Sequence, residues 1–237
     1  MFQVLFYQPV LNLLVFLYNI VPGHDLGIAI ILLTIIIKLL LLPLSRQSIK
    51  SQKALQDLQP EIEEIKKKYK DNREEMSRAM MELYKKHKVN PFSSCLPLLI
   101  QMPFLFAVFR VFRDGLSNGA LNLVYPFMHR PETINHIAFG FLNLSAKNIY
   151  IAILAGLAQF WQTKMLSTKK PVIKSAGAQD ESMMAIMNKQ MQFFMPLLTV
   201  FFAASFPAGL ALYWLVTTLL TGLQQLYLFR KQKTEEK

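Results

Sequence analysis

Apolar residues are gathered into long runs along this chain, and proline or charge punctuates each run. The clearest is Leu26–Leu44, the 19 residues LGIAIILLTIIIKLLLLPL, apolar except for Thr34 and Lys38. At about 1.5 Å rise per residue it reaches about 28 Å, enough for the hydrocarbon core of a bilayer. Further runs follow at 91–111, 148–162, 191–205 and 208–228, and only Phe206-Pro207 separates the last two, which must form a tight hairpin. Residues 1–22 differ. Pro9 and Pro22 bracket an apolar stretch of 12 residues, too short to span, and Gln8, Asn12 and Asn19 recur at helical spacing. That pattern predicts an amphipathic helix lying in the membrane interface.

Ser45–Asn90 reads differently again, with 12 Lys/Arg and 8 Asp/Glu. Leu55, Leu58, Ile62, Ile65 and Tyr69 form one heptad-spaced seam, and Met76, Met80, Leu83 and His87 form another. Lys70-Asp71-Asn72-Arg73 supplies the turn between them. The prediction is a helical hairpin over 45–90, outside the membrane, with Pro60 kinking or restarting its first arm. Residues 165–188 form a polar connector and 229–237 a short basic tail. The fold class that follows is an all-α polytopic membrane protein in a single domain, 1–237, with five transmembrane helices.

Composition sharpens this picture through the placement of charge. The chain is 53% hydrophobic although 17% is charged, and the net charge is +11 with a pI near 9.7. Basic residues concentrate in 45–90, 165–188 with its flanks, and the tail, which hold 21 of the 26 Lys and Arg. The positive-inside rule therefore puts the amino terminus outside and the carboxyl terminus in the cytoplasm. Basicity beside an anionic inner leaflet is membrane chemistry, so no direct nucleic-acid role is expected. Residues 1–22 contain no Lys or Arg and lack the basic n-region of a secretory signal. One cysteine, Cys95, excludes an internal disulfide, and four scattered histidines show no metal-ligand spacing.

None of the five spans contains Asp, Glu or His. Proton relays, cation sites and intramembrane proteases need such groups, so no enzyme, cofactor or metal is expected. Uncharged polar residues instead lie in rows. Tyr213, Thr217, Thr221 and Gln224 share a face of the fifth span, with Trp214, Thr218 and Gln225 beside it. Thr34, Lys38 and Ser45 align in the first, and Ser94 and Gln101 in the second. Two readings of Lys38 stay open. It lies about 9 Å from the end of its run and could snorkel to the headgroups, or it could supply the one charge of a hydrated cavity. The polar rows could equally join helix to helix. Met183, Met187, Met191 and Met195 recur at i, i+4, either as core or as an adaptable substrate-contact face.

The runs IIIKLLLLPLSRQSIKSQKALQDLQPEIEEIKKKYKDN, NPFSSCLPLLIQMPF and FPAGLALYWLVTTLLTGLQQ resemble the YidC/Oxa/Alb family of membrane protein insertases, over about 26–230. The resemblance implies a five-helix core around a hydrophilic groove, open to the cytoplasm and lipid and closed outside. It implies a bacterial inner (plasma) membrane protein that moves nascent transmembrane segments into the bilayer, alone or beside the Sec translocon. Signal recognition particle receptor and ribosome are the further partners it implies. Lys38 stands where many members carry a groove Arg, keeping the charge but losing the bidentate fork. Gln101, Gln159 or Gln162, and Tyr213 or Trp214 fall where the family lines its groove, with Thr34 and Thr217 beside them. The expected architecture is close to the minimal core, without an extra first span or large periplasmic domain. Two other functions remain open on the residues alone: a non-translocating assembly chaperone, and a small-solute transporter.

Overall fold

The computed structural model describes residues 1–70, 72–90, 96–114, 121–166 and 179–235, without the side chains of 97–98, 166, 179–191 and 231–235. The described chain is mostly helical. A π-helical turn, Gln3–Tyr7, runs straight into α1, Gln8–Ile20. The wider turn explains why Pro9 breaks nothing: Gln8 N–H bonds back to the Gln3 carbonyl, and Pro9 falls in the first turn of α1 where its missing donor costs little. The result is one helix of 18 residues, Gln3–Ile20, long and apolar enough to cross a membrane.

The helix is longer than the 12-residue stretch between Pro9 and Pro22, and it packs into the protein. Tyr7, Leu11, Leu14 and Val15 are buried in the main core against α2 and α6. The polar stripe faces a loop and not headgroups. Asn12 Nδ2 donates to the Gln8 and Leu123 carbonyls at 2.7 and 3.1 Å, and its Oδ1 accepts from Tyr125 N–H at 2.7 Å. Asn19 donates to the His129 carbonyl, and Tyr18 Oη accepts from Asn135 N–H. A packed loop carries backbone groups that need partners, and α1 supplies them.

Helix α2, Leu26–Leu40, starts at Asp25, whose carboxylate accepts from Ile28 N–H as an N-cap and from Phe139 N–H in a two-stranded hairpin. The strands are β1, Ile137–Ala138, and β2, Leu142–Asn143, paired antiparallel. A Cβ at Gly27 would sit 2.6 Å from that of Ala138, so glycine is what admits the hairpin. At Leu41 the chain bends by 70° into α3, Leu42–Asp57, with Pro43 in its first turn. Pro60 restarts the chain as α4, Gln59–Lys68. Asn72 then caps α5, Arg73–Lys86, by accepting from Glu75 N–H. Leu58, Ile62 and Leu83 form the seam between α4 and α5, and His87 meets Glu61 at its far end.

Helix α6, Leu96–Arg113, contains Pro103. Helices α7, Ile149–Leu166, α8, Gln179–Ser205, and α9, Ala208–Glu235, pack as a bundle. Their contact is made of small residues: Ala152, Ala155, Ala203 and Ala211 are all buried. Helices surrounded by lipid gain from close backbone approach and little from apolar burial, which explains the alanines. The first amides of α9 are held by the loop ahead of α7, since Ala208 and Gly209 N–H donate to the Ala146 and Leu144 carbonyls. Gly209 and Gly222 let Phe112 and Trp161 press onto the α9 backbone. Taken as a bent pair, α2 and α3 also meet the length and hydropathy of a span, while 192–205 is apolar but shorter.

Candidate functional site

Four polar side chains, Tyr213, Thr217, Thr221 and Gln225, occupy every fourth position of α9. Four residues advance about 6 Å and return nearly to the same face, so the four make a ladder about 18 Å long. Each of three rungs meets a different helix. Lys38 Nζ, from α2, donates to Thr221 Oγ1 at 2.7 Å. Gln101, from α6, donates its amide to the Tyr213 hydroxyl. Gln225 donates to Gln52 Oε1, from α3, at 3.3 Å. Thr221 in turn donates to the Thr217 carbonyl at 2.7 Å, which orients its oxygen to accept from Lys38.

Lys38 is only 8% exposed. It lies in the last turn of α2, where the negative end of the helix dipole favours a cation by about 0.3–1 kcal/mol. Among the described residues no carboxylate pairs with it, and its charge rests on a neutral hydroxyl. It is therefore turned into the α2–α9 seam and not drawn out to the end of its helix. Thr34, one turn earlier, is fully buried and satisfied by the Ile30 carbonyl of its own helix. Lys38 and Gln224 form the polar part of a recess of about 290 Å³. Among the described residues, no group of three or more His, Cys, Asp or Glu could hold a metal.

A sequence-family model described as "60Kd inner membrane protein" matches residues 16–236. The chain belongs to that family. A 60Kd inner membrane protein relative from Fusobacterium nucleatum, named "Membrane protein insertase YidC", is 33% identical over 227 residues, covering 95% of this chain and 97% of its own. Relatives of the same name from Geotalea daltonii and Geobacter sulfurreducens are each 37% identical. This chain spans only 36% and 38% of their lengths while 93% and 97% of it is covered. The mostly helical architecture agrees with that family, whose members are inner membrane proteins.

Within this member of the 60Kd family the candidate residues divide into three groups. Lys38, Thr217 and Thr221 form one hydrogen-bonded string, and Gln101 with Tyr213 forms another on the same face. Gln159 and Gln162, on α7, are half-buried, and Trp214 is half-buried beside Tyr213. Among the described residues, no side-chain hydrogen bond joins these three to the ladder. Met195 is exposed, as are its neighbours Phe193, Phe194 and Leu197. The side chains of Met187 and Met191 lie outside the described residues, as do Ser94 and Cys95.

One partner escapes a reading of the spans alone. Gln52 comes from α3, beyond the bend, in a stretch whose composition is that of a solvated surface, where Ser48 is also fully buried. For Gln52 a faint signal is present: 38, 45 and 52 follow one another at heptad spacing. The bend shifts that register and brings the later positions to α9.

Proposed function

We propose that this protein is a membrane protein insertase, which moves nascent transmembrane segments and short polar tails into the bilayer by way of the polar face of α9. One observation carries the reading: Lys38, a charge within an apolar helix, is buried and held on the α9 ladder by Thr221. Relatives named as insertases over nearly the whole of this chain support it. The chemistry is physical. A polar helix face within the membrane shortens the low-dielectric distance that a hydrophilic tail must cross. Lys38 attracts acidic groups of that tail, and the apolar segment then leaves along α7 and α9 into lipid, where its burial is favourable. Five spans, 26–44, 91–111, 148–162, 191–205 and 208–228, surround the groove. Gln101, Gln159, Gln162, Tyr213, Trp214 and Thr217 line it, with Met187, Met191 and Met195 as an adaptable contact face. The α4–α5 pair is the cytoplasmic receiving element, and Sec translocon, signal recognition particle receptor and ribosome are its candidate partners.

The test is site-specific photo-crosslinking to a stalled single-span nascent chain. Probes at Lys38, Gln101 and Thr221 should capture the chain, whereas a probe at Phe16, outward on α1, should not. Uniform capture from all four positions would sink a defined path along the ladder.

The membrane topology is tested separately. In a Cys95→Ser background, single cysteines at Gln3 and Lys68 should react from opposite sides of the membrane, Gln3 from outside. Reaction of both from the cytoplasmic side would make Gln3–Ile20 a crossing helix and add a sixth span.

A further inference from the structure

The small hairpin of β1 and β2 divides its apolar residues between two surroundings. Ala138, Leu142 and Leu144 are buried, whereas Ile137, Phe139 and Phe141 are 39%, 40% and 82% exposed. The two phenyl rings lie 6.4 Å apart, and a Cβ on Gly140 between them would meet nothing within 4 Å. Residues 133–146 include no Lys, Arg, Asp or Glu, so this exposed patch carries no carboxylate, ammonium or guanidinium. Phe139 is held in it at a conformational cost. Its φ is +53°, a left-handed backbone that suits glycine or asparagine and is an outlier for a bulky side chain. Its N–H donates to the Asp25 carboxylate at 2.5 Å, and Ala138 packs on Gly27. Glycine would make the same turn with less strain, so the ring itself gives the position its value.

The same contacts place the patch. Gly27 lies in the first turn of the apolar helix α2, with the Phe139 ring edge over it, and the adjacent Ile28 is 39% exposed. The hairpin therefore stands where α2 starts, and its exposed rings continue the apolar flank of that helix. We propose that Ile137, Phe139 and Phe141 form a foot set into the lipid leaflet around the start of α2, at the boundary of headgroups and acyl chains, where Phe side chains of membrane-bound segments settle. A partner recognised through ion pairs would find no acid or base on the hairpin, and a phospholipid needs none. The foot goes beyond the insertase reading and rests only on α2 as a membrane helix.

Spin-label accessibility in the full chain tests it, in vesicles of dioleoyl phosphatidylcholine with no other protein present. In a Cys95→Ser background, nitroxides are attached at Phe141→Cys, at Glu132→Cys on the exposed loop, and at Leu157→Cys on the exposed side of α7. The ratio of collisions with oxygen to collisions with a water-soluble nickel chelate should be several-fold higher at 141 than at 132, and should approach that at 157. Adding Phe139→Asn, which keeps the left-handed backbone and removes the ring, should raise nickel access at 141. Nickel access at 141 equal to that at 132, with 157 protected, would overturn the foot while leaving the bundle in the membrane, and would turn the patch over to a partner protein. Unchanged access after Phe139→Asn would also overturn it, since the ring would not be what holds the hairpin in lipid. Nickel access at 157 as well would overturn the membrane placement together with the foot.

Discussion

Replacing Lys38 by Ala lowers insertion of substrates with acidic translocated tails by roughly one to two decades, while Lys38→Arg keeps most activity. Two unit charges about 4 Å apart attract by about 4 kcal/mol at an effective dielectric of 20 and about 1 kcal/mol in bulk water. Lys38, held at a seam between polar and apolar side chains, falls between these limits, and about 1.4 kcal/mol is a factor of ten. Neutral tails lose less, because the polar face of α9 still shortens their path when the charge is gone. Arginine retains the charge and reaches Thr221 with more donors, so the string through Thr221 to the Thr217 carbonyl survives. A lysine that only snorkelled would give the opposite pattern: alanine would sit better in the bilayer and lose no activity. Reconstituted vesicles and a matched pair of substrates, one with an acidic tail and one with the acids amidated, measure the difference. Equal loss for both tails would remove the electrostatic part of the mechanism and leave the thinned barrier alone.

Gly156→Ile separates α7 from α8 and destabilises the bundle by about 1–3 kcal/mol or more, the range for forcing extra methylenes into a packed core. A Cβ at this position would lie 2.2 Å from Val200 Cγ2 and 3.2 Å from the Pro196 carbonyl oxygen. Val200 cannot turn away cheaply, since a β-branched side chain in a helix has one strongly preferred rotamer. The backbones must then move apart, and the neighbouring contacts of Ala152, Ala155 and Ala203 are lost with them. Leu157→Val, one residue further and 59% exposed, should change stability by less than about 0.5 kcal/mol. Thermal unfolding of the two variants in the same detergent compares them directly. If Gly156→Ile unfolds at the wild-type temperature, the small-residue interface does not hold α7 to α8.

The outward faces of α7 and α8 remain rich in Leu and Phe, with Leu157, Phe193, Phe194, Leu197 and Phe201 all exposed. In a family of inner membrane proteins these are surfaces for lipid. Hydropathy found these helices but could not say which of their faces turn inward. For a soluble helix the apolar stripe marks the core, whereas here the lipid side and the packed side are both apolar. The informative residues are the small ones, Ala152, Ala155, Gly156 and Gly222, whose value lies in what they allow to approach.

Local chemistry along the chain determined a good deal by itself. It set the restart of α4 at Pro60, the Asn72 cap of α5, the two-residue turn before α9, the helical start after Asp25, and Lys38 as the one charge inside an apolar run. Each depends on residues a few positions apart, where backbone sterics and short hydrogen bonds act alone. Periodicity also placed Tyr213, Thr217 and Thr221 on one face of one helix. Only the tertiary structure decided what that face meets. Lys38 reaches Thr221 across 183 positions, Gln101 reaches Tyr213 across 112, and the polar stripe of α1 finds its loop through Asn12 and Tyr125 across 113. The same holds for the π-helical turn that absorbs Pro9 and the 70° bend that swings Gln52 toward Gln225. Helical spacing fixes the angle of a side chain about its own axis, but the rotation and shift of one helix against another come from packing at small residues and from pairing of buried polar groups.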